Sequence, residues 1–237
     1  MFIFIRLLAA HLIADFFLQT DRVYQIKVRY KWGVLLHGGI VGLVTALALL
    51  PFFRYWLIAV LFILGFALHI FQDKAKILYN HRAVNNNLTT FLLDQLLHIF
   101  VLGVISFGAL NLENPGFPGP VFLADLYANT GIFVFIIWIL FVSYTTSIMQ
   151  VYIKKAITGD KIEKLQWPGA PQKYIEMAWR ITIAVFIFLG GLWNSGAVAA
   201  VLTGYYLVKI KKIPVLNFQI GAALAVITGF LMKITIG

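Results

Sequence analysis

A chain of 237 residues that is 61% hydrophobic and only 12% charged has too little polar surface to cover itself in water, which excludes an ordinary soluble domain and makes lipid the expected solvent. Its net charge of +10 does not indicate nucleic acid, because a nucleic-acid binder gathers basic residues on one face beside stacking aromatics, whereas here they fill the gaps between apolar runs. The absence of cysteine excludes disulfides, thiolate metal sites and cysteine nucleophiles, so any metal must be held by His, Asp, Glu, Gln or backbone oxygen.

Apolar runs recur along the chain, each about 17 to 25 residues long and able as a helix to cross a hydrocarbon core about 30 Å thick. The first, Phe2 to Leu18, has no basic region before it and no clean small-residue cleavage site after it, and is expected to be a retained helix rather than a signal peptide. Eight spans are expected, over 2–19, 33–50, 55–75, 88–110, 128–152, 174–192, 194–208 and 214–234, so the fold class is an all-α, polytopic transmembrane helical bundle. The seventh is short, and Asn194-Ser195-Gly196 barely separates it from the sixth. Gly190-Gly191 offers close helix packing, which suits a scaffold or a homo-oligomer contact through the C-terminal spans.

The connections alternate in charge. The first holds Arg22, Lys27, Arg29 and Lys31, the third Lys74, Lys76 and Arg82, the fifth Lys154, Lys155, Lys161, Lys164 and Lys173, and the seventh Lys209, Lys211 and Lys212. The second has Arg54 alone, and the fourth and sixth have no Lys or Arg. Since Lys and Arg are retained on the cytoplasmic side, the odd connections are expected inside and both termini outside. The fourth connection, Asn111 to Pro120, is broken by Pro and Gly and reads as an external loop. The fifth, with Trp167-Pro168-Gly169 among lysines, reads as a segment resting on anionic headgroups. The chain divides into a first half, 1–110, that carries the polar residues, and a scaffold half, 111–237.

An ionised side chain inside the bilayer costs at least about 2.5–3.5 kcal/mol, so such residues face a partner, water or a ligand. His11 and Asp15 lie in the first span, His37 in the second, His69 and Asp73 in the third, and Asp94 and His98 in the fourth. His11 with Asp15, His69 with Asp73, and Asp94 with His98 are each four residues apart, which on an α-helix places imidazole and carboxylate on one face about 6 Å apart. Spans one and three run inward and carry their pairs late; spans two and four run outward and carry His37, Asp94 and His98 early. All of these groups are therefore expected at one depth in the cytoplasmic half. Gln19, Gln72 and Gln95 accompany the pairs, and Ser143, Thr146, Ser147 and Gln150 of span five fall in the same half as possible cavity lining. A lone intramembrane His is more often an interhelical hydrogen-bond partner, and His81 is read so, in a polar inside loop.

The strings His11-Leu-Ile-Ala-Asp15-Phe-Phe-Leu-Gln19, His69-Ile-Phe-Gln-Asp73-Lys74 and Asp94-Gln95-Leu-Leu-His98 resemble a bacterial inner-membrane family catalogued as domain of unknown function 3307, with a specific match over roughly the first 100 residues. The resemblance implies a multi-pass protein of the bacterial cell (inner) membrane and brings no activity with it. The intramembrane His and Asp motifs are also loosely similar to those of membrane-bound metal-dependent hydrolases.

Imidazole and carboxylate suit a divalent transition metal, zinc above all. The leading expectation is a metal-dependent intramembrane hydrolase acting on a lipid or lipid-linked phosphate from the cytoplasmic leaflet. His11, Asp15, His37, His69, Asp73, Asp94 and His98 are its candidate metal ligands, with a metal-free carboxylate, Asp94, taking a proton and Lys74 binding phosphate. The rivals are a transporter or channel relaying protons or cations through the same residues, and a non-catalytic scaffold. Arg6, in the outer part of span one, has no place in any of these readings. Membrane lipids are the expected surroundings and nucleic acid is not a partner.

Overall fold

A computed structural model describes residues 1–83, 87–112, 116–159, 170–211 and 215–236 of the chain. Among the described residues the regular structure is entirely helical. Two compact units are present, residues 1–137 and 138–237. The division falls later than residue 110 because Arg6 ties the segment around Tyr127 to the first helix.

In the first unit α1 (Phe2–Leu12) runs without interruption into a π-helical turn, Ile13–Phe17. Thr20 then caps α2 (Asp21–Arg29), accepting from Val23 N at 3.4 Å, and the chain bends by 85° between the two. Next come α3 (Gly33–Leu49), a 3-10 turn at Leu50–Arg54 started by Pro51, α4 (Trp56–Ala83) and α5 (Leu88–Gly108). Asn87 and Thr90 fix the start of α5 by a reciprocal capping box, which satisfies two of its otherwise orphaned N–H groups. Helices α1, α3, α4 and α5 pack in ring order, with α5 closing on α1 and α2 lying against α3. A short α6 (Val121–Ala128) and α7 (Thr130–Leu140) follow; α6 occupies residues that the sequence reading leaves without an element.

Arg6 is fully buried and is the tie between these parts. Its guanidinium donates to the Tyr127, Ala128 and Phe2 carbonyls and to Thr130 Oγ1, and stacks 3.3 Å from the centre of the Phe2 ring. It therefore satisfies the C-terminal carbonyls of α6, the groups a helix end leaves without intrahelical partners. Leu7, Leu49, Phe52, Ile58 and Ile105 form the apolar core at this end.

In the second unit a π turn, Phe141–Thr145, leads into α8 (Thr146–Thr158), which ends at Gly159 with φ +69°. Helix α9 (Ala170–Leu189) packs on α10 (Trp193–Lys211) and α11 (Val215–Ile236), and α11 packs on α8. Gly190 and Gly191, at φ +67° and +56°, form the turn between α9 and α10, a backbone that only glycine adopts without strain. They are thus a turn rather than a packing surface. The close approach falls instead at Gly196, where an added Cβ would lie 2.7 Å from the Phe186 ring, and Asn194 to Gly196 are inside α10 rather than a break.

Among the described residues five helical stretches are long and apolar enough to cross a membrane: Gly33–Arg54, Trp56–Asn80, Leu88–Gly108, Thr130–Thr158 and Val215–Ile236; Phe2–Phe17 with Asp21–Arg29 makes a sixth if the bent pair is one span. The eight expected spans all fall on helices, but α1, α9 and α10 taken singly are not among these five. Large apolar side chains such as Leu43, Ile63, Phe71, Phe100 and Phe107 stand exposed on the spanning stretches, as a lipid-facing surface requires. Helix α4 continues through residue 83, so His81 belongs to a helix end rather than a loop. Lys161, Lys164 and Trp167-Pro168-Gly169 lie outside the described residues.

Candidate metal centre

The four histidines and three aspartates singled out in the sequence are buried and converge between α1, α3, α4 and α5. His37 Nε2 lies 3.1 Å from Asp15 Oδ1 and 3.5 Å from Asp73 Oδ2; His69 Nε2 lies 3.6 Å and 3.3 Å from the same two oxygens. His11 Nε2 is 3.8 Å from Asp15 Oδ2 and 3.4 Å from Gln95 Oε1. His98 connects the group to α5, its ring centre 4.5 Å from that of His69 and 5.1 Å from that of His11.

The π turn explains part of this convergence. Leu18 N bonds Ile13 O at 2.8 Å, a five-residue step, so one extra residue is accommodated within the turn that carries Asp15. Such a turn re-aims side chains relative to regular α-spacing, and here Asp15 reaches His37 on the adjoining α3 and His69 across the ring on α4 as well as His11 on its own helix.

Two lysines complete the centre. Lys27, projecting from α2, lies 2.6 Å from Asp73 Oδ1 and donates to Gln19 Oε1 at 3.1 Å. Lys76, near the end of α4, lies 2.6 Å from Asp94 Oδ2, to which Gln95 also donates at 3.0 Å. Neither lysine is legible as a site residue in the sequence, where both read as topology charges. Lys74, the lysine expected to bind phosphate, is exposed: it is one residue beyond Asp73, which on an α-helix turns it about 100° away. Lys76, three residues beyond Asp73, shares the face of Asp73 because the helix continues past 75.

Several buried polar atoms at the centre have no hydrogen-bond partner, among them His69 Nε2, Asp73 Oδ2, His37 Nδ1, His98 Nε2 and Gln72 Oε1. His98 Nδ1 faces the Asp94 carbonyl at 2.7 Å. A carbonyl only accepts, so Nδ1 carries the proton and Nε2 presents a bare lone pair. Three subsets, His11-Asp15-His69, His37-His69-Asp73 and Asp73-Asp94-His98, each bring their ligand atoms within 4.8 Å of one another, as a shared cation requires. Beside the imidazoles lies a narrow cavity, lined at this end by His11, His69, Gln72 and His98.

The second unit has its own buried polar group. Arg180 is fully buried and donates to the Val142 carbonyl at 3.1 Å, the Ser143 carbonyl at 2.9 Å, Gln150 Oε1 at 2.7 Å and Ser147 Oγ. Ser143, Ser147 and Gln150 are therefore gathered around Arg180 in the second unit. Thr146 returns its hydroxyl to the Phe141 carbonyl at 2.9 Å.

These features define an all-helical, multi-span membrane protein whose first unit encloses a buried His and Asp cluster. Residues 3–115 match the model of the family described as "Protein of unknown function (DUF3307)", the family that the three motifs resemble. No curated protein and no solved structure matches the chain.

Proposed function

We propose that the protein is a metal-dependent intramembrane hydrolase of the bacterial cell membrane, acting on a lipid or lipid-linked phosphate from the cytoplasmic leaflet. The carrying observation is the set His37, His69 and Asp73, buried side chains whose ligand atoms lie within 4.8 Å of one another, with Asp73 Oδ2 3.5 Å from His37 Nε2 and 3.3 Å from His69 Nε2. Three protein ligands with a water in the fourth position is the arrangement of a catalytic zinc site. Two of these atoms, His69 Nε2 and Asp73 Oδ2, face each other at 3.3 Å but make no hydrogen bond, a state that burial penalises unless something else occupies the lone pair.

In this reading His37, His69 and Asp73 would hold a zinc-like ion with its fourth position left to water, and His11 with Asp15 would be available to a second ion. The ion supplies Lewis acidity and lowers the pKa of water to about 7. Asp94, outside this set, would take the water's proton. Lys27 and Lys76 place two positive charges against the three carboxylates, so that the centre becomes net cationic once a divalent ion is bound, which favours an anionic phosphate. The role expected of Lys74 passes to Lys76. The eight-span topology with both termini outside fits this orientation, because Arg22, Lys27, Arg29, Lys31, Lys74 and Lys76 all lie near the centre's end of the first unit and basic residues stay cytoplasmic.

Metal analysis of protein purified without chelator tests the reading. Wild type retains stoichiometric transition metal, and His69→Ala or Asp73→Ala loses it; metal-free wild type with full lipid phosphatase activity would end the proposal.

The Lys27–Asp73 and Lys76–Asp94 pairs support a second reading, a proton- or cation-coupled transporter, because a carboxylate that exchanges a lysine for a cation is a coupling device. Flux into proteoliposomes under a pH gradient, abolished by Asp94→Asn, would favour transport and defeat the hydrolase.

A further inference from the structure

Helix α2 leaves the first helix at 85°, so where α1 follows the membrane normal α2 runs in the membrane plane. Its level is set by two contacts. Lys27 meets Asp73 at 2.6 Å, just where the apolar run of α4 gives way to Asp73, Lys74 and Lys76, and α2 also packs against the start of α3, where the spanning stretch Gly33–Arg54 begins. Both put α2 at the boundary between hydrocarbon and water. Its orientation there is fixed, because Gly33 approaches the Ile26 carbonyl so closely that an added Cβ would lie 2.0 Å from the oxygen.

At about 100° per residue, Asp21–Arg29 divides into three faces. Val23, Ile26 and Lys27, buried or half-buried, form the face turned to the protein. Tyr24 and Val28 form a second, apolar face and are exposed. Asp21, Arg22, Gln25 and Arg29 form the third, also exposed. A helix with one apolar and one basic outer face lies in a bilayer surface, with its apolar side at the acyl boundary and its basic side among headgroups. Just beyond it Tyr30 and Trp32, exposed and stacked with ring centres 5.6 Å apart, are the residue types that such a boundary favours.

Arg22, Gln25 and Arg29, at i, i+3 and i+7, make a row of donors along one side of α2. Among the described residues, neither their side chains nor that of Lys31 has a hydrogen-bond or ion-pair partner. Asp21 is the sole acid on the helix, against Arg22, Lys27 and Arg29. Guanidinium forks match the oxygens of a phosphate, and the two arginines, about 10.5 Å apart along the axis, flank Gln25 closely enough for their long stems to converge over it.

We propose that this row binds the headgroup of an anionic phospholipid, with Arg22 and Arg29 on its phosphate and its acyl chains beside Tyr24 and Val28. The row lies about 150° round α2 from Lys27, so the phosphate it holds is not one that meets the buried centre. The site therefore stands independently of the hydrolase reading.

The natural lack of cysteine allows a fluorophore to be placed at Val28→Cys in the full chain, in phosphatidylcholine vesicles, and quenched by nitroxide-labelled lipids. A nitroxide near the headgroup is expected to quench more than one at the chain end. Phosphatidylglycerol is expected to reach half-quenching at about 25-fold lower mole fraction than phosphatidylcholine, from about fivefold, or about 1 kcal/mol, for each of two basic residues. Adding Arg22→Gln and Arg29→Gln removes that preference. The same fluorophore at Phe107→Cys, exposed near the other end of α5, shows none. Equal quenching by the two lipids at Val28, an equal preference at Phe107, stronger quenching from the chain end, or a preference that survives loss of both arginines overturns the proposal. Should the double arginine variant fail to fold, the comparison of Val28 with Phe107 decides on its own.

Discussion

Lys27 projects from α2, and its ammonium is held at 2.6 Å from a carboxylate that is 3% exposed. Removing one partner of such a pair leaves an uncompensated buried charge and costs about 3–5 kcal/mol. Lys27→Met is therefore expected to destabilise the metal-free protein by about that amount. A divalent cation at Asp73 takes over the compensation, so added zinc restores most of the lost thermal stability in Lys27→Met; thermal unfolding with and without zinc reads both effects. Equal losses in the two conditions would show that Asp73 does not meet the metal. Lys27 also shows where sequence reading stops. The i, i+4 pairs name their own partners because one helix supplies both members, whereas the approach of Lys27 to Asp73 depends on an 85° bend that no residue spacing announces.

At the scale of elements, both π turns sit where a helix serves a buried polar group: Ile13–Phe17 carries Asp15, and Phe141–Thr145 offers the carbonyls of Val142 and Ser143 to Arg180. A π turn loosens the regular ladder and frees backbone acceptors, and Arg180, with its planar fork, gathers them. Arg180→Met is expected to destabilise the second unit by at least about 3 kcal/mol, because each buried carbonyl left alone costs about 1–3 kcal/mol. Arg180→Lys rescues little, since a single ammonium cannot span the same acceptors. Denaturation in mixed micelles, with Arg180→Lys beside Arg180→Met, measures this. The grouping of Ser143, Ser147 and Gln150 was legible as a polar stripe on one helix; its partner was not, because Arg180 reads in the sequence as a charge near a membrane surface. The helices themselves were legible from apolar runs, and the boundaries that moved, at 83 and 193, are those where charged or small residues continue a helix already stabilised by packing.

For the whole molecule, the alternation of basic connections predicts a side for each loop, and the natural lack of cysteine makes the prediction direct to check. In spheroplasts, Lys31→Cys is expected to resist an impermeant maleimide until the membrane is opened, while Asn111→Cys, exposed beyond α5, reacts at once. The opposite pattern would move the buried cluster to the outer leaflet and remove the cytoplasmic-leaflet substrate from the proposed function. The common depth of the His and Asp residues was visible before any coordinates because direction of travel and position along each span are both sequence properties. That they meet at one centre required the ring order of α1, α3, α4 and α5.

Gly33 sits at the junction of α2 and α3 with no room for a side chain: a Cβ there would lie 2.0 Å from the Ile26 carbonyl oxygen. The backbone of α2 is thus riveted to the base of α3 at Ile26 and Lys27 themselves. A helix fastened in this way does not swing aside as a door, and the ammonium leaves Asp73 only by turning about its own flexible stem.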